Sequence, residues 1–305
     1  MPVRRRNRPG AVTTLVTGLA VLAALTAACA PEEGSDSQES GVPDTNGSGK
    51  TAMSEKCEKG DLPTLTDGKL TIATDQPVYE PWFVDDAPEN GKGFESAVAY
   101  AVAGKLGFDR SDVVWTRVKF TTAIAPGPKK FDFDINEFTI TEERKRAVDF
   151  STPYYDVTQA VIALQSSPLA DATRIDQLKQ ARLGAQVNTT SYDVITDVVE
   201  PDVEPRVYPS NDNAKRGLQN GAVDGLVVDL PTAFYMTSAE IEGSVIIGQV
   251  EQSTGTPEQL GLVLDKGSPL TPCVSQAVDA LRADGTLEKL AEQWLTDMAD
   301  APVLK

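Results

Sequence analysis

From Leu70 onward, short apolar runs alternate with stripes at helical spacing, and this alternation limits the possible folds more than any other feature. Leu70-Thr71-Ile72-Ala73 reads as a strand. Phe94, Ala97, Val98, Ala101, Val102 and Leu106 recur as one face of a helix that Gly107 stops. Phe131, Phe133 and Ile135 alternate with Asp132, Asp134 and Asn136, the period of a strand with one buried face. Residues 161–164 and 226–228 give two more strands. Val274, Ala277, Val278 and Leu281 form another helical stripe; Gly285 separates it from a last one of Leu287, Leu290, Ala291, Trp294 and Leu295, with Trp294 expected in the core. Strands separated by helices predict an α/β fold with mostly parallel sheets, in which ligands bind at the carboxyl ends of strands. A chain of 305 residues has room for one large domain or two smaller ones. No repeat at a solenoid period is present.

The segment before this pattern is a different kind of sequence. Arg4, Arg5, Arg6 and Arg8 precede an uncharged run over residues 11–28, the layout of a signal peptide. The run is also close to the shortest membrane span, so an uncleaved anchor is the alternative. It ends Leu25-Thr26-Ala27-Ala28-Cys29, which resembles a bacterial lipoprotein cleavage site, with Thr26 where that pattern prefers Leu. Residues 1–28 are therefore expected to be a lipoprotein signal peptide, with Cys29 as the lipidated new N-terminus; ordinary secretion with an incidental cysteine competes. Residues 29–56 are rich in Gly, Ser, Pro and acids, a flexible tether too polar to fold. Loss of the leader removes four arginines and no acid, taking the formal charge from −17 to −21. Anionic lipid repels such a chain, and a covalent anchor would hold it at a membrane. With Cys29 lipidated, Cys57 and Cys273 remain as an even pair in an oxidising compartment, and a disulfide between them is predicted.

Composition excludes several chemistries. The chain has no histidine, so a Ser-His-Asp triad, a Cys-His dyad and any His-ligated metal are impossible. The excess of 45 acids over 28 bases argues against a nucleic-acid partner. Neither a metal nor another cofactor is expected. Asp132, Asp134 and Asn136 followed by Glu143 imitate a calcium-loop spacing, but Glu137 stands where the loop needs glycine.

Two charged residues invite a ligand. Thr141 reads as a helix N-cap with Glu142 and Glu143 in the first turn, and a capping box would place Glu or Gln next. Arg144 stands there instead, a guanidinium at the positive end of a helix. It either receives a carboxylate ligand or pairs with a neighbouring acid at the surface. Asp229 ends the apolar run Leu226-Val227-Val228; it either binds an amine there or, with Pro231 following, caps the next helix. Tyr79, Trp82 and Phe83 crowd the loop after the first strand, and with Phe120 they are either walls of a pocket or ordinary core aromatics.

Taken in order, the motifs resemble the bacterial extracellular solute-binding proteins, family 3, of polar amino-acid ABC importers. The matching stretches are Gly68-Lys-Leu-Thr-Ile-Ala-Thr-Asp75, Tyr79-Glu-Pro-Trp82-Phe83 and Gly91-Lys-Gly-Phe94-Glu95. They continue with Phe131-Asp132, Thr139-Ile-Thr-Glu-Glu-Arg144, Val148-Asp-Phe150-Ser-Thr-Pro153-Tyr154 and Asn188-Thr189-Thr190-Ser191. Gly221-Ala-Val-Asp224 through Asp229, and Asp284-Gly285-Thr-Leu287 to Trp294, complete the set.

The resemblance implies a two-lobed periplasmic-binding-protein-like fold, two α/β lobes joined by two crossover strands. Residues 57–157 and 257–305 would form the first lobe, and residues 158–256 the second. It implies that Arg144 and Thr139 bind a ligand α-carboxylate and Asp229 its α-ammonium. Asn188-Thr189-Thr190 would form the backbone turn of the second lobe, with Gln186 nearby; Asp75, Tyr79 and Phe120, with Trp82, Asn136 and Glu137 beside them, would meet the side-chain end. The implied protein is a monomer that captures an amino acid or similar small zwitterion outside the cytoplasm and delivers it to a membrane permease, without turnover.

Departures from the family pattern are Glu137 in place of Gly or a small residue, Asn188 in place of Gly, an extra residue between Asp75 and Tyr79, and Pro126-Gly-Pro128 inside what is normally a helix. Glu137 with Asp75 either favours a cationic or amide side chain or points away from the ligand. A ligand-sensing module for a membrane receptor and a dehydratase-like enzyme on the same fold are the competing functions.

Overall fold

The computed structural model describes residues 57–251, 257–295 and 301–305; Cys29, the leader and the tether lie outside the described residues. The strands are, in chain order, Leu70–Thr74 (β1), Val113–Arg117 (β2), Phe133–Asp134 (β3), Asp149–Phe150 (β4), Tyr155–Val157 (β5) and Gln159–Leu164 (β6). They continue with Leu183–Gln186 (β7), Arg206–Tyr208 (β8), Gly225–Asp229 (β9), Ser244–Val250 (β10), Glu258–Leu260 (β11) and Val263–Leu264 (β12). The helices are Phe94–Lys105 (α1), Phe120–Ala123 (α2), Thr190–Val194 (α3), Asn211–Gln219 (α4), Leu230–Tyr235 (α5), Thr271–Ala283 (α6) and Thr286–Trp294 (α7).

Two five-stranded sheets result, in the orders β2-β1-β3-β12-β4 and β10-β6-β9-β7-β8. Between them β5 and β11 pair antiparallel and make the two crossings from lobe to lobe. The sheets are mixed, which corrects the expectation of mostly parallel ones. β1 runs parallel to β2 and β3, and β7 parallel to β8 and β9. In contrast β12 is antiparallel to β3 and β4, and β6 to β9 and β10. A strand that enters a lobe directly from the crossing ribbon has no helix to turn it round, so it joins its sheet antiparallel.

Both faces of each sheet are covered. In the first lobe, one core joins Leu70, Ile72 and Phe133 to Val98 and Val102 of α1 and Val274 and Val278 of α6. A smaller one gathers Ala73, Phe120, Phe138 and Val263 on the other face. Trp294 is only half-buried, packed against the edge of the larger core. Cys57 and Cys273 are bonded, tying the first of the described residues to α6 within this lobe. The second lobe repeats the plan, with Val161 and Val227 on one face and Ile162, Leu226 and Val228 on the other.

Three local expectations change. The period-two segment around Phe133 has no solvent face: Asp132 accepts the backbone N–H groups of Leu65 and Thr71, at 2.8 and 2.6 Å, and Asp134 is fully buried. The last five residues cross to the second lobe, where Val303 bridges Gln249 and Leu304 is buried; they do not belong with the first lobe as the 257–305 boundary had them. The helix expected after Thr141 is a single turn, Arg144–Arg146, although Thr141 Oγ1 does accept from the Arg144 N–H at 3.1 Å.

Gly93, at the start of α1, has φ of 95°, and a Cβ there would lie 2.4 Å from the Trp82 carbonyl oxygen. Only glycine allows the Trp82 loop to pack this closely onto the helix.

Candidate ligand-binding site

The carboxyl ends of β1 and β9 point at one another across a cleft between the lobes. Its lining includes Asp75, Tyr79, Phe120, Asn136, Glu137, Thr139 and Arg144 from the first lobe. Gln186, Thr189, Thr190, Ser210, Asn211 and Asp229 come from the second.

Arg144 is 8% exposed, so a surface ion pair is not its role. Its Nη1 donates to the Thr139 carbonyl at 2.7 Å and its Nη2 to the Asn188 carbonyl, on the other lobe, at 2.9 Å. The guanidinium lies 5.4 Å from the centre of the Phe120 ring, which in turn stacks on Phe138. A five-donor fork anchored to two carbonyls still has N–H groups to offer a carboxylate. Burial holds Arg144 below the usual arginine range, with Glu258, Asp193 and Asp229 acting the other way.

Asp229 occupies the N-cap position of α5 but makes no capping bond, which sets aside the helix-cap reading. Its carboxylate accepts from Gln159 Nε2 instead. Burial, then the charges of Glu137 and Glu258, raises its pKa well above the carboxylate range. Glu258, on the crossing strand β11, is the hub between the lobes. Its Oε2 accepts from Thr139 Oγ1 at 3.1 Å, Thr190 Oγ1 at 2.6 Å and Gln159 Nε2 at 3.2 Å. Thr189 Oγ1 closes its own turn on the Gln186 carbonyl at 2.7 Å.

The two positions that depart from glycine explain themselves in the backbone. Glu137 has φ of 52° and Asn188 of 62°, both left-handed. Asparagine tolerates that region through its short polar side chain; glutamate does so at a cost and needs outside support. Glu95 supplies it, accepting the Glu137 N–H at 2.7 Å on an Oε1 that also accepts the Tyr154 hydroxyl. The Glu137 carboxyl thus faces the cleft and takes a hydrogen bond from Thr232 Oγ1 at 2.8 Å. Burial and the charge of Glu95 push Glu137 up to about 8. Burial pushes Glu95 to about 8 as well, against the lowering effect of its Tyr154 and Glu137 hydrogen bonds.

Asp75 lines the cleft while serving the backbone. One oxygen accepts from the Phe120 N–H at 3.1 Å, the other from the Gln76 N–H at 2.6 Å. Pro126-Gly-Pro128 lies beyond α2, which stops after Ala123 and places Phe120 at the rim of the site. Tyr79 leans on α4, with Lys215 Nζ 5.9 Å from its ring centre. Trp82 corrects the sequence reading. It is 0% exposed, packs against Phe94 and Tyr155, and does not line the cleft. Its loop turns back under α1, carrying the indole inward.

Sequence reading missed Glu95, Gln159, Thr232 and Glu258. Glu95 left a signal: it shares a helix face with Val98, Ala99 and Val102, all buried, so an acid sat inside an apolar stripe. Gln159, Thr232 and Glu258 gave none, because the side chains seen to bond them lie 32 to 150 residues away in sequence.

Two α/β lobes around a cleft that faces one buried guanidinium with several carboxyls define a binding protein for a small polar solute. Comparison with known proteins agrees. Residues 70–297 match the model of the bacterial extracellular solute-binding proteins, family 3, and the chain belongs to that family. It is 29% identical over 219 residues to an Escherichia coli ABC transporter arginine-binding protein, covering 71% of this chain and 86% of that one. It is 27% identical over 210 residues to an L-cystine-binding protein of Escherichia coli, covering 68% and 76%. Among solved structures, an ancestral arginine-binding protein bound to arginine superposes with a TM-score of 0.62 at 30% identity, covering 74% of this chain and 97% of that one. These relatives are binding proteins of amino-acid transport, and this chain is a substrate-binding protein of that class, not an enzyme.

Proposed function

We propose that this protein captures an amino acid with a cationic side chain between its lobes and delivers it to an ABC permease. The observation that carries the reading is the acid content of the cleft: Arg144 lines it together with Glu137 and Asp229, Glu258 acts on Arg144 from β11, and Glu95 stands behind Glu137. A zwitterion needs one cation and one anion, which Arg144 and, once an ammonium favours its ionised form, Asp229 provide. The remaining acid, Glu137 above all with Asp75 beyond it, favours a second positive charge at the side-chain end. Thr139 and the turn Gln186-Val187-Asn188-Thr189-Thr190 would complete the carboxylate seat. The arginine-binding relatives point the same way.

Residues 57–157 with most of the chain after 257 act as one lobe in this reading, and residues 158–251 as the other. The ligand favours the closed state by touching both. Export under the 1–28 leader and a lipid on Cys29 would keep the monomer at the outer face of the membrane, beside its permease.

The test is a thermal-shift and calorimetric comparison of the purified full chain with L-arginine, L-lysine, L-glutamine and L-glutamate. A ligand at 100 times its Kd adds about 2.7 kcal/mol, hence several degrees. L-arginine or L-lysine is expected to give the largest shift; preference for L-glutamate would refute the cationic reading. Mass spectrometry of the membrane-extracted protein should find a lipid-modified Cys29 at the N-terminus, and an unprocessed leader would refute the anchor.

A further inference from the structure

One hydroxyl of the second lobe is shared by two residues of the first. Trp82 Nε1 donates to Thr232 Oγ1 at 2.8 Å, and Thr232 Oγ1 donates to Glu137 Oε2 at 2.8 Å. The three residues come from the loop before α1, the left-handed turn before Thr139 and the first turn of α5. Trp82 is 0% and Thr232 2% exposed, so neither group has water as a substitute partner. A hydroxyl has a single hydrogen, so accepting from the indole leaves it free to donate towards the carboxyl, and the chain of bonds has one direction.

We propose that Thr232 is a closure latch and a positioning residue: when the lobes meet, its hydroxyl engages Trp82 and turns the Glu137 carboxyl towards the side-chain end of the ligand. The claim about the ligand rests on the proposed function above; the latch itself does not. Glu137 is held at its backbone by Glu95 and at its tip by Thr232, so its carboxyl is fixed from both ends. Parting of the lobes would break both Thr232 bonds at once and leave the indole N–H and the carboxyl to water. Closure is thereby coupled to the presentation of a negative charge in the pocket. Selection for a cationic over an amide side chain then depends on a residue that need not touch the ligand.

The three tryptophans make the latch directly observable. The Trp82 indole N–H reaches Thr232, that of Trp115 donates to Tyr100 at 3.1 Å, and that of Trp294 is buried without a partner among the described residues. In nitrogen-15 spectra of the full chain, Thr232→Val should move the Trp82 indole signal and speed its exchange with water while leaving the other two in place. Thr232→Ser, which restores a hydroxyl, should return it. A Trp82 signal identical in wild type and Thr232→Val would overturn the latch whatever the ligand is. With L-arginine and L-glutamine as probes, Thr232→Val should weaken L-arginine binding about tenfold and L-glutamine binding less, and Thr232→Ser should recover most of the loss. Equal losses for both probes would overturn the positioning role and leave a latch alone. If the wild type ignores L-arginine, the cationic-ligand reading falls, while the indole signal still decides the latch.

Discussion

Raising the pH from about 6 to about 8 should tighten capture of L-arginine, because the cleft would receive a cation where it holds protonated carboxyls. Glu137 is pushed up to about 8, by burial first and then by Glu95. The groups facing this cluster are Asp229 at the end of β9, Thr232 on α5, Gln159 on β6, Glu258 on β11, Tyr154, and Tyr155 on β5, with Asp134 acting from β3. Arg144, the cation that lines the same cleft, makes its bonds to the Thr139 and Asn188 carbonyls, and Glu137 is still pushed up to about 8 beside it. An arriving guanidinium or ammonium favours the ionised carboxyl, lowers its pKa towards the ordinary value of 4.5, and expels a proton. Between those two values, release of one proton steepens affinity by up to tenfold per pH unit, about 1.4 kcal/mol each. From about pH 6 to about pH 8 the limit is roughly 100-fold, with a plateau above. Isothermal titration calorimetry in two buffers of different ionisation enthalpy gives both Kd and the proton count. Glu137→Gln should reduce the dependence and the number of protons released, leaving the share of Asp229. Equal L-arginine affinity at both pH values, with no proton released, would refute the reasoning.

Glu137 and Glu95 also set how the ligand-free protein responds to pH. Their folded pKa values lie above the unfolded ones, so the folded chain holds extra protons between about 4.5 and about 8. Stability is therefore full below that window and is lost as pH rises through it, and the melting temperature of the ligand-free protein should fall from about pH 6 to about pH 8.5. Arg144→Ala should weaken amino-acid binding at least tenfold, from a loss of about 2 kcal/mol or more, since a desolvated carboxylate loses its charged donor; unchanged affinity by calorimetry would remove Arg144 from the site. Reducing the Cys57–Cys273 bond, which joins residues 216 apart, should cost about 2–4 kcal/mol and several degrees of melting temperature while leaving ligand affinity intact, because it lies in the first-lobe core away from the cleft. Gly93→Ala should destabilise by about 1–3 kcal/mol in urea titrations, from left-handed strain plus the clash with the Trp82 carbonyl; a neutral result would show that the loop can move away from α1.

Much of the molecule could be read from local pattern. The β1 strand, the α1 stripe and the two C-terminal helices follow from periodicity, because each element buries a face that its own spacing defines. Arg144 announced itself by standing where a capping box wanted an acid, and Asp229 by ending an apolar strand. Cysteine arithmetic sufficed for the bonded pair. These signals are legible because they depend on neighbours within a few residues.

What only the tertiary structure decided depends on distant partners. Whether Glu137 faces the cleft turned on Glu95, 42 residues earlier, and on Thr232, 95 residues later, which hold a left-handed glutamate in place from two sides. Trp82 looked like a pocket wall because aromatics clustered in its loop, but the close approach of that loop to Gly93 carries the ring into the core. The mixed sheets followed from the crossing ribbon, and the C-terminal residues found their place on the other lobe. Glu258 has nothing in its own sequence neighbourhood to mark it; the hydrogen bonds it accepts from Thr139, Gln159 and Thr190 converge only when the chain has crossed between the lobes twice. Spacing along the chain fixes which face of an element is apolar, whereas the charge balance of a cleft is a sum over groups that folding alone brings within reach of one another.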